Sequence, residues 1–290
     1  MTATTVIIPV RDGAATIASA LGSTLRALPR DGRVVVHDDA STDGTGRVLA
    51  TFRDPRVTVL RSEEPRGVAG GLNLLLAHVS TPQVARMDAD DVVLPWRFAR
   101  QQAALDRGAD VVFSTVLPFG PPLHRLRPGP PVPISAEAMP LHLVLANPVA
   151  HSTMLARTAT LTAAGGYRAV AAEDYDLWLR LVAAGARIVR TAVPTLLYRV
   201  HPGQVTAGAG WAERALADPA VVAARAAVGD RALGAVPGDG EELLRDPARL
   251  AGAVREAAGR LPWLQRELLW RKVSALAGST VTSRDGVTPA

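Results

Sequence analysis

Three groups of acidic side chains in this sequence have the types and spacing that metal binding and proton transfer require. The first is Asp88-Ala89-Asp90-Asp91, which directly follows an apolar segment. In an extended chain, residues two apart point to the same side, so Asp88 and Asp90 can both face one point. Mg²⁺ and Mn²⁺ prefer such oxygen ligands and usually take one or two carboxylates together with substrate phosphates. The spacing therefore predicts a metal site; the alternative is a solvated, turn-forming acidic cluster.

The second group is Asp38 and Asp39. Ser41 or Asp43 can cap the helix that follows, whereas Asp38 and Asp39 have no obvious structural role. A carboxylate in this position can accept hydrogen bonds from a nucleobase or from ribose hydroxyls. The segment also resembles the start of a calcium loop, but Ala50 occupies the twelfth position in place of Glu, which excludes that site.

The third group, Glu173 and Asp174, precedes apolar residues at helical spacing. We therefore expect both acids at the N-terminal edge of an amphipathic helix. A carboxylate at a helix N-terminus stays ionised, as a proton acceptor must. The alternative is that both acids only complement the helix dipole.

The elements that must position these acids alternate between short β-branched segments and amphipathic ones. Predicted strands lie near residues 6–10, 34–36, 57–60, 84–87 and 111–113, and predicted helices near residues 14–28, 45–52, 68–79 and 96–107. This alternation predicts an α/β fold with a mostly parallel, buried sheet. Ligands bind outside the carboxyl ends of such strands, and the acids that follow successive strands should meet there.

After Phe113 the alternation ends. Residues 118–133 are rich in proline, which predicts an irregular, exposed connection. We expect a helix near 135–146, an extended segment near 151–156, a helix near 174–184, and strands near 188–191 and 195–200. From about residue 207 onward the chain is rich in Ala and Arg, which favours a helical appendage over a second catalytic domain.

Composition excludes several classes of protein. The 290 residues include no Cys, so a disulfide framework, a thiolate nucleophile and a Cys-based metal site are absent. The net charge is +5, but the Arg residues are dispersed without interleaved aromatic residues, which disfavours a nucleic-acid partner. No apolar run is long enough to span a bilayer, and the N-terminus does not resemble a signal peptide. We therefore expect a soluble, cytoplasmic protein.

Taken in order, the motifs resemble those of family 2 glycosyltransferases, which have the GT-A nucleotide-sugar fold. The resemblance covers roughly residues 4–205. It rests on Val6-Ile-Ile-Pro-Val10, Asp38-Asp39-Ala-Ser-Thr-Asp-Gly-Thr45, Arg66-Gly67 through Asn73, Met87-Asp-Ala-Asp-Asp91, Glu173-Asp174-x-Asp176-Leu-Trp and Tyr198-Arg-Val-His201. Each motif is weak alone, but the ordered set is specific.

The resemblance implies transfer of a sugar from a nucleoside-diphosphate donor to an acceptor hydroxyl, with inversion at the anomeric carbon and with Mg²⁺ or Mn²⁺. It implies a GT-A domain over residues 1–206, with a nucleotide-sugar half (1–115) and an acceptor half (116–206), and a helical extension over 207–290. The acceptor is a small molecule, a glycolipid or a peptide. By position, the resemblance places Pro9, Arg11 and Asp39 along the nucleoside pocket. Asp88 and Asp90 bind the metal and the diphosphate, and His201 reaches the metal or the diphosphate. Asp174 is the general base. Residues 151–153 lie near the acceptor, and Glu173 is the second candidate for the base.

This chain departs from the family pattern at three places. Arg11-Asp12 stands where members often carry an aromatic residue and Asn, Ala40 where they carry Gly, and Leu72 where many carry Arg. Stacking on the base is then replaced by a guanidinium contact. One phosphate contact moves, and Arg66 or Arg61 is the candidate to make it.

Two other functions fit part of the pattern. Asp88 and Asp90 also match the nucleophile motif of haloacid-dehalogenase-like phosphotransferases, although the lysine that such enzymes need is present only as Lys272 in the tail. A non-catalytic nucleotide-sugar-binding protein would have lost one of the acids. The Q-x-x-R-W signature of processive synthases is absent, so we expect a single transfer.

Trp263 and Trp270 are seven residues apart in the tail, near Arg266, Arg271 and Lys272. We expect this helical face to pack against the catalytic domain. A membrane-surface helix or a dimer contact is the alternative.

Overall fold

The computed structural model describes residues 2–121, 131–201, 203, 210–234 and 239–281. The strands are β1 (Thr4–Val10), β2 (Arg33–Asp39), β3 (Val57–Ser62), β4 (Gln83–Arg86), β5 (Val92–Val93), β6 (Val111–Phe119), β7 (Leu155–Arg157) and β8 (Ile188–Arg199). The helices among them are α1 (Ile17–Ala27), α2 (Thr45–Leu49), α3 (Gly67–Ala77), α4 (Arg97–Asp106), α5 (Met139–Leu145), α6 (Thr158–Ala163) and α7 (Glu173–Ala183). After β8 come α8 (Trp211–Ala217), α9 (Pro219–Ala232), α10 (Gly240–Arg245), α11 (Pro247–Ala258) and α12 (Trp263–Val281).

All eight strands form one sheet in the order β3-β2-β1-β4-β7-β6-β8-β5. β3, β2, β1 and β4 run parallel to one another, and β6 runs parallel to β8. β7 is antiparallel to β4 and β6, and β5 is antiparallel to β8. The predicted α/β class with a mostly parallel central sheet is confirmed.

The central strands are apolar on both faces because helices cover both sides of the sheet. Val6, Ile8 and Val10 of β1 pack with α1 and α4, whereas Ile7 between them packs with α3, α5 and α7. This alternation is the period of two that a strand imposes on its side chains. It explains why β1 reads as a continuous apolar run.

Pro118 lies inside β6, so the prediction of irregular structure from residue 118 was wrong at its start. β7 pairs with β6 only at Val111 and Val112. Beyond Val112, β6 therefore pairs on one side with β8, and a residue without an N–H is tolerated where the other side is open. Most of the predicted connection, residues 122–130, lies outside the described residues.

The structure differs from the expectation in several further details. The two strands expected over residues 188–200 form one strand, β8, which is irregular where Pro194 faces Thr115. The segment expected to be extended at 151–156 begins with a 3-10 turn, His151–Thr153, before β7. The helix expected from residue 135 begins at Met139, and β5 and α6 were not predicted.

The chain after β8 is helical over its described residues, as expected. Val221, Val228 and Val254 belong to the same apolar cluster as Leu143 of α5 and Leu177 of α7. The C-terminal helices thus share a core with the second half of the sheet domain. The proposed boundary at residue 206 remains a prediction.

The expectation that Trp263 and Trp270 pack against the catalytic domain was wrong. Trp263 is 68% exposed and Trp270 is 36% exposed. α12 instead packs through Leu269 and Val273, which are fully buried. Over the described residues, none of the helices combines the length and the apolar character needed to cross a bilayer.

A buried ion pair fixes α7, the helix that carries Glu173 and Asp174. The carboxylate of Asp176 is inaccessible to solvent and lies 2.8 Å from the Arg180 guanidinium. Arg180 also donates to the carbonyls of Ala164 and Gly166, at 2.6 and 2.7 Å. The pair therefore joins α7 to the turn after α6.

Replacing Asp176 with Ala should lower the free energy of unfolding by about 3–5 kcal/mol, because Arg180 would be left as an uncompensated buried charge. The matched control is Glu241→Ala. Glu241 also pairs with an Arg four residues later, Arg245, but the two side chains are 50% and 77% exposed, and such pairs contribute less than about 0.5 kcal/mol. Urea denaturation of the two variants measures the difference. Similar losses in both would contradict a structural role for the buried pair.

Candidate active site

The first part of the site is an edge of the sheet where three parallel strands end. β1 lies between β2 and β4, so the segments after these strands emerge at the same edge. Arg11 follows β1, Asp39 ends β2, and Asp88 follows β4. With strands about 4.8 Å apart, the ends of β2 and β4 are separated by roughly 10 Å. The expected meeting of Arg11, Asp39 and Asp88 at one edge agrees with this topology.

The loops after β1 and β2 are joined by side-chain to backbone hydrogen bonds. Asp12 Oδ1 accepts from the Thr42 amide at 2.8 Å, and the Asp12 amide donates to Ser41 Oγ at 2.9 Å. Asp43 accepts from the amides of Ala14 and Thr45 at 3.0 and 2.8 Å. Asp43 thus holds the residues around the start of α2, but the expectation that Ser41 or Asp43 caps this helix was wrong, because Gly44 is its N-cap residue.

Two residues of these loops have left-handed backbone conformations that non-glycine residues rarely adopt. The φ angle is 50° at Asp12 and 55° at Ala40. Such positions usually cost free energy and persist only where the surrounding structure enforces them. Ala40 stands where the family often has Gly, and its positive φ gives a physical reason for that preference.

Asp38 and Asp39 have structural roles that the sequence did not reveal. Asp38 Oδ1 accepts from the Ser41 amide at 3.1 Å. The Asp39 carboxylate accepts from the amides of Arg66 and Gly67, at 2.7 and 3.2 Å, at the start of α3. It therefore ties β2 to α3 by satisfying free amides at a helix N-terminus. Its contact with a nucleoside stays a prediction.

The other residues predicted for the nucleoside and phosphate contacts lie around these loops. The Arg11 side chain is 55% exposed, and its Nε lies 3.9 Å from Asp12. Arg66 donates from Nε to Ser62 Oγ at 3.0 Å. Pro9 is half-buried near the end of β1.

The acidic cluster after β4 is the centre of the site. Asp88, Asp90 and Asp91 each place a carboxylate oxygen within 4.8 Å of the others. Asp90 Oδ2 lies 3.2 Å from His201 Nε2, so the end of β8 brings His201 to this cluster. Its contact with a metal or a diphosphate stays a prediction. Asp91 is almost fully buried, and its Oδ1 accepts from the Arg199 amide at 2.8 Å. The sequence includes Asp91 in the acidic motif but does not show that Asp91, unlike Asp88 and Asp90, is the buried member of the cluster.

The cluster fits a hard divalent cation. All three carboxyl groups supply oxygen ligands, which Mg²⁺ and Mn²⁺ prefer. Asp91 Oδ2 is buried and has no hydrogen-bond partner among the described residues. Burial, and then the charge of Asp88, raises the pKa of Asp91 to about 7. An added positive charge would offset the repulsion from Asp88 that contributes to the raised pKa of Asp91.

Two buried arginines that the sequence did not mark lie under the cluster. Arg86, the last residue of β4, donates to Asp88 Oδ2 at 2.6 Å from one nitrogen and pairs with Oδ1 through the other. Arg97, at the start of α4, is fully buried and donates to the carbonyls of Arg86 and Met154 at 2.7 and 3.1 Å. Burial lowers the pKa of Arg97 to about 9, while the charges of Asp91 and Asp88 oppose that shift.

Glu173 and Asp174, at the start of α7, lie close enough to the cluster for their charges to interact with Asp88 and Arg86. Asp174 Oδ1 accepts from the Tyr175 amide at 2.6 Å, and Asp174 Oδ2 accepts from the Asn147 side chain at 3.1 Å. We expected the helix terminus to keep these acids ionised. Instead, burial raises the pKa of Asp174 above its ordinary value and that of Glu173 to about 7. A base with a pKa near the working pH is well matched to proton transfer.

His151 lies behind Arg86 and is buried. His151 Nε2 lies 2.9 Å from the hydroxyl oxygen of Tyr167, and burial lowers the pKa of His151. Asn73 of α3 donates to the Tyr167 carbonyl at 2.8 Å and accepts from the Tyr167 amide at 2.9 Å. Asn73 therefore connects the nucleotide half to the segment that precedes Glu173, and His151 contacts the same Tyr167 from within the acceptor half. The predicted contact of residues 151–153 with an acceptor stays a prediction.

The remaining histidines were expected to be structural or exposed. His37 and His142 are buried, and His37 Nε2 lies 2.9 Å from Ser62 Oγ. His78 is exposed at the end of α3. These three agree with the expectation, and His124 lies outside the described residues.

Comparisons with known proteins agree with this geometry. The model of the family "Glycosyl transferase family 2" matches residues 5–160. EpsE of Bacillus subtilis strain 168, named as a glycosyltransferase, is 31% identical over 195 residues, covering 63% of this chain and 67% of EpsE. The UDP-Glc:alpha-D-GlcNAc-diphosphoundecaprenol beta-1,3-glucosyltransferase WfaP of Escherichia coli is 26% identical over 196 residues, covering 67% of this chain and 74% of WfaP.

Solved structures share the fold. Residues 1–349 of S. aureus TarS, in complex with UDP-GlcNAc, align with a TM-score of 0.63 and 18% identity over 98% of this chain and 92% of that chain. The mannosyltransferase PcManGT of Pyrobaculum calidifontis, in complex with GDP-Man and Mn²⁺, aligns with a TM-score of 0.53 and 22% identity over 99% of this chain and 76% of that chain. The GT-A fold implied by the sequence motifs is confirmed. With more than half of its residues matched by the family model, this chain belongs to glycosyl transferase family 2 and is a glycosyltransferase.

Proposed function

We propose that this protein transfers one sugar, with inversion and with a divalent cation, from a nucleoside-diphosphate donor to a hydroxyl group of a glycolipid acceptor. One observation carries the proposal: Asp88, Asp90 and Asp91 meet within 4.8 Å at the end of β4, while Glu173 and Asp174 face them from a different element, α7. Inverting transfer needs this division. One group of acids serves the leaving diphosphate, and a separate acid serves the attacking hydroxyl.

The donor would lie along the edge formed by the ends of β2, β1 and β4. The loop after β2 and the start of α3 supply the nucleoside side of this edge, with Pro9, Arg11 and Asp39 as its lining. Arg66, at the N-terminus of α3, is placed to contact phosphate, where a helix terminus also favours negative charge. The complexes of TarS with UDP-GlcNAc and of PcManGT with GDP-Man support a nucleotide-sugar donor.

Asp90, Asp91 and His201 are the residues that would hold the cation, with Asp88 fixed beside them by Arg86. When bound, the cation offsets the charge that builds on the departing diphosphate. The Mn²⁺ in the PcManGT complex supports this assignment. Asp88 is held by two hydrogen-bonding nitrogens of Arg86, so Arg86 fixes the position of that carboxylate.

Asp174 would accept the proton of the acceptor hydroxyl as that oxygen attacks the anomeric carbon from the face opposite the diphosphate. Asn147 and the Tyr175 amide each donate to Asp174 and stabilise its ionised form. Glu173 is the second candidate. A diphosphate-linked lipid in the name of WfaP supports a glycolipid acceptor.

The two alternative functions are wrong, because the chain belongs to a glycosyltransferase family. The structure gives a further reason against phosphotransfer through Asp88. The only lysine, Lys272, contacts His142 Nδ1 at 3.2 Å between α12 and α5. It is therefore engaged by α5 rather than by the acidic cluster.

Donor and metal binding can be tested with UDP-, GDP-, dTDP- and CDP-sugars, each with and without Mn²⁺. At 100 times its Kd, a ligand that binds only the folded state adds about 2.7 kcal/mol. This should raise the Tm of a chain of this size by roughly 5–10 °C. We expect the shift for one nucleotide class to depend on Mn²⁺, and we expect Asp90→Asn to lose that dependence. No Mn²⁺-dependent shift with any donor would contradict the proposal.

Replacing Asp174 with Asn should lower the rate of transfer by a factor of about 10²–10⁴, the usual contribution of a general base. Donor binding should be unchanged, because Asp174 faces the acceptor side. Glu173→Gln is the matched control and should retain most of the turnover. NMR of the product gives both the rate and the anomeric configuration. Retained turnover in Asp174→Asn with loss in Glu173→Gln would assign the base to Glu173.

Replacing Asn147 with Ala should move the acidic limb of the pH–activity profile to higher pH. The variant loses a hydrogen bond that stabilises ionised Asp174, so the pKa of Asp174, already raised by burial, rises further. Because the base must be ionised, activity is lost as pH falls through that pKa, and the loss begins earlier in the variant. Asn73→Ala removes hydrogen bonds to Tyr167 but none to Asp174, and it should lower stability without moving the limb. Equal profiles for Asn147→Ala and wild type would show that Asn147 does not act through Asp174.

A further inference from the structure

The N-terminal half of α12 carries an exposed apolar surface. Trp263, Leu264 and Trp270 are 68%, 40% and 36% exposed. Trp263 and Trp270 are seven residues apart and so lie above one another on the helix, with Leu264 beside them. We call these three residues the aromatic face.

The aromatic face is distinct from the side by which α12 packs on the protein. Leu269 and Val273 are fully buried on that other side. Gln265 Oε1 accepts from the Ser135 amide at 3.1 Å on the same packed side. Two exposed Trp side chains on an otherwise docked helix are costly in water and typically mark an interaction surface.

The charges around the aromatic face are mainly positive. Over residues 260–271 the basic side chains are Arg260, Arg266 and Arg271, and the acidic one is Glu267. Lys272 instead lies on the packed side, against His142. The Arg266 guanidinium lies 5.2 Å from the ring centroid of Trp270. Trp with adjacent basic residues is the combination that binds at the interface of an anionic bilayer, where the ring enters the headgroup region and the cation contacts phosphate.

We propose that the aromatic face of α12 binds the surface of an anionic lipid bilayer. A second copy of this chain fits the surface less well, because a symmetric contact would bring like charges together. The proposal rests on the proposed function in that a glycolipid acceptor would be presented at such a surface.

The direction of α12 relates this surface to the active site. Gln265 contacts Ser135, just before α5, and Lys272 contacts His142 within α5. The two helices therefore run in the same direction. α5 ends at Leu145, and Asn147, two residues later, donates to Asp174. A bilayer that lies along α12 would thus also run parallel to α5, and the C-terminal end of α5 is followed by Asn147, which contacts the proposed base.

Co-sedimentation of the full chain with vesicles tests the surface without donor, metal or turnover. The vesicles are phosphatidylcholine alone or phosphatidylcholine with about one third phosphatidylglycerol. We expect binding to the anionic vesicles that exceeds binding to neutral ones by at least about tenfold and weakens as salt rises. The double variant Trp263→Ser/Trp270→Ser should lose at least about tenfold in affinity for the anionic vesicles.

Val59→Ser/Val193→Ser is the matched control, since these apolar residues are 43% and 38% exposed on other elements; it should bind like wild type. The Tm of each variant checks folding. Absence of wild-type binding to anionic vesicles, or equal binding by the double Trp variant, would overturn the proposal. So would a wild-type dimer that the double Trp variant converts to a monomer in sedimentation velocity. Because donor binding is measured separately, each of these three results leaves the proposed glycosyl transfer standing.

Discussion

The crowding of carboxyl groups at the acidic cluster and beside the buried guanidinium of Arg86 is the constraint on which this active site depends. Arg86 pairs directly with Asp88, and its charge also acts on Glu173 and Asp174. Burial raises the pKa of Asp88, Asp91, Glu173 and Asp174 alike. The two buried guanidinium groups of Arg86 and Arg97 are fewer than the carboxyl groups they face, so the site favours whatever brings further positive charge. The proposed divalent cation beside Asp90 and Asp91 would supply it, with acids of the crowded cluster as its ligands.

The sheet edge holds these groups together through its topology. Strands β1, β2 and β4 end side by side, and β8 brings His201 to Asp90. The left-handed residues Asp12 and Ala40 lie where the first two loops cross. Backbone strain of this kind concentrates at functional sites. Here the hydrogen bonds from Asp12 and Asp43 hold the two loops in place.

The first half of the fold could be predicted from the sequence because its strands are β-branched runs and its acids follow them at one edge. Local sequence patterns do not show which distant residues will be in contact. The wrong predictions concern residues whose surroundings depend on such contacts. Pro118 was assigned to a loop, although the open side of β6 accommodates it. Arg86 and Arg97 looked like ordinary charged residues of a strand and a helix, but Arg86 is buried against Asp88 and Arg97 is buried against the carbonyl groups of Arg86 and Met154, and that burial depends on packing. Asp39 was expected only to bind a nucleoside. Its contacts with the amides at the start of α3 could not be predicted, because they depend on how β2 and α3 pack.

The difference between Glu173 and Asp174 follows from the same long-range packing. Both acids stand in the first turn of α7, so the helix dipole acts on both. Asp174 differs because Asn147 donates to one oxygen while the Tyr175 amide donates to the other. The pKa of Glu173 is raised first by burial and then by the charge of Asp174 itself. Ionised Asp174 therefore favours a neutral Glu173, and the two acids tend to share one negative charge. In this arrangement the acid with the dedicated hydrogen-bond donors is the better placed to keep that charge, which supports the proposal that Asp174 is the proton acceptor.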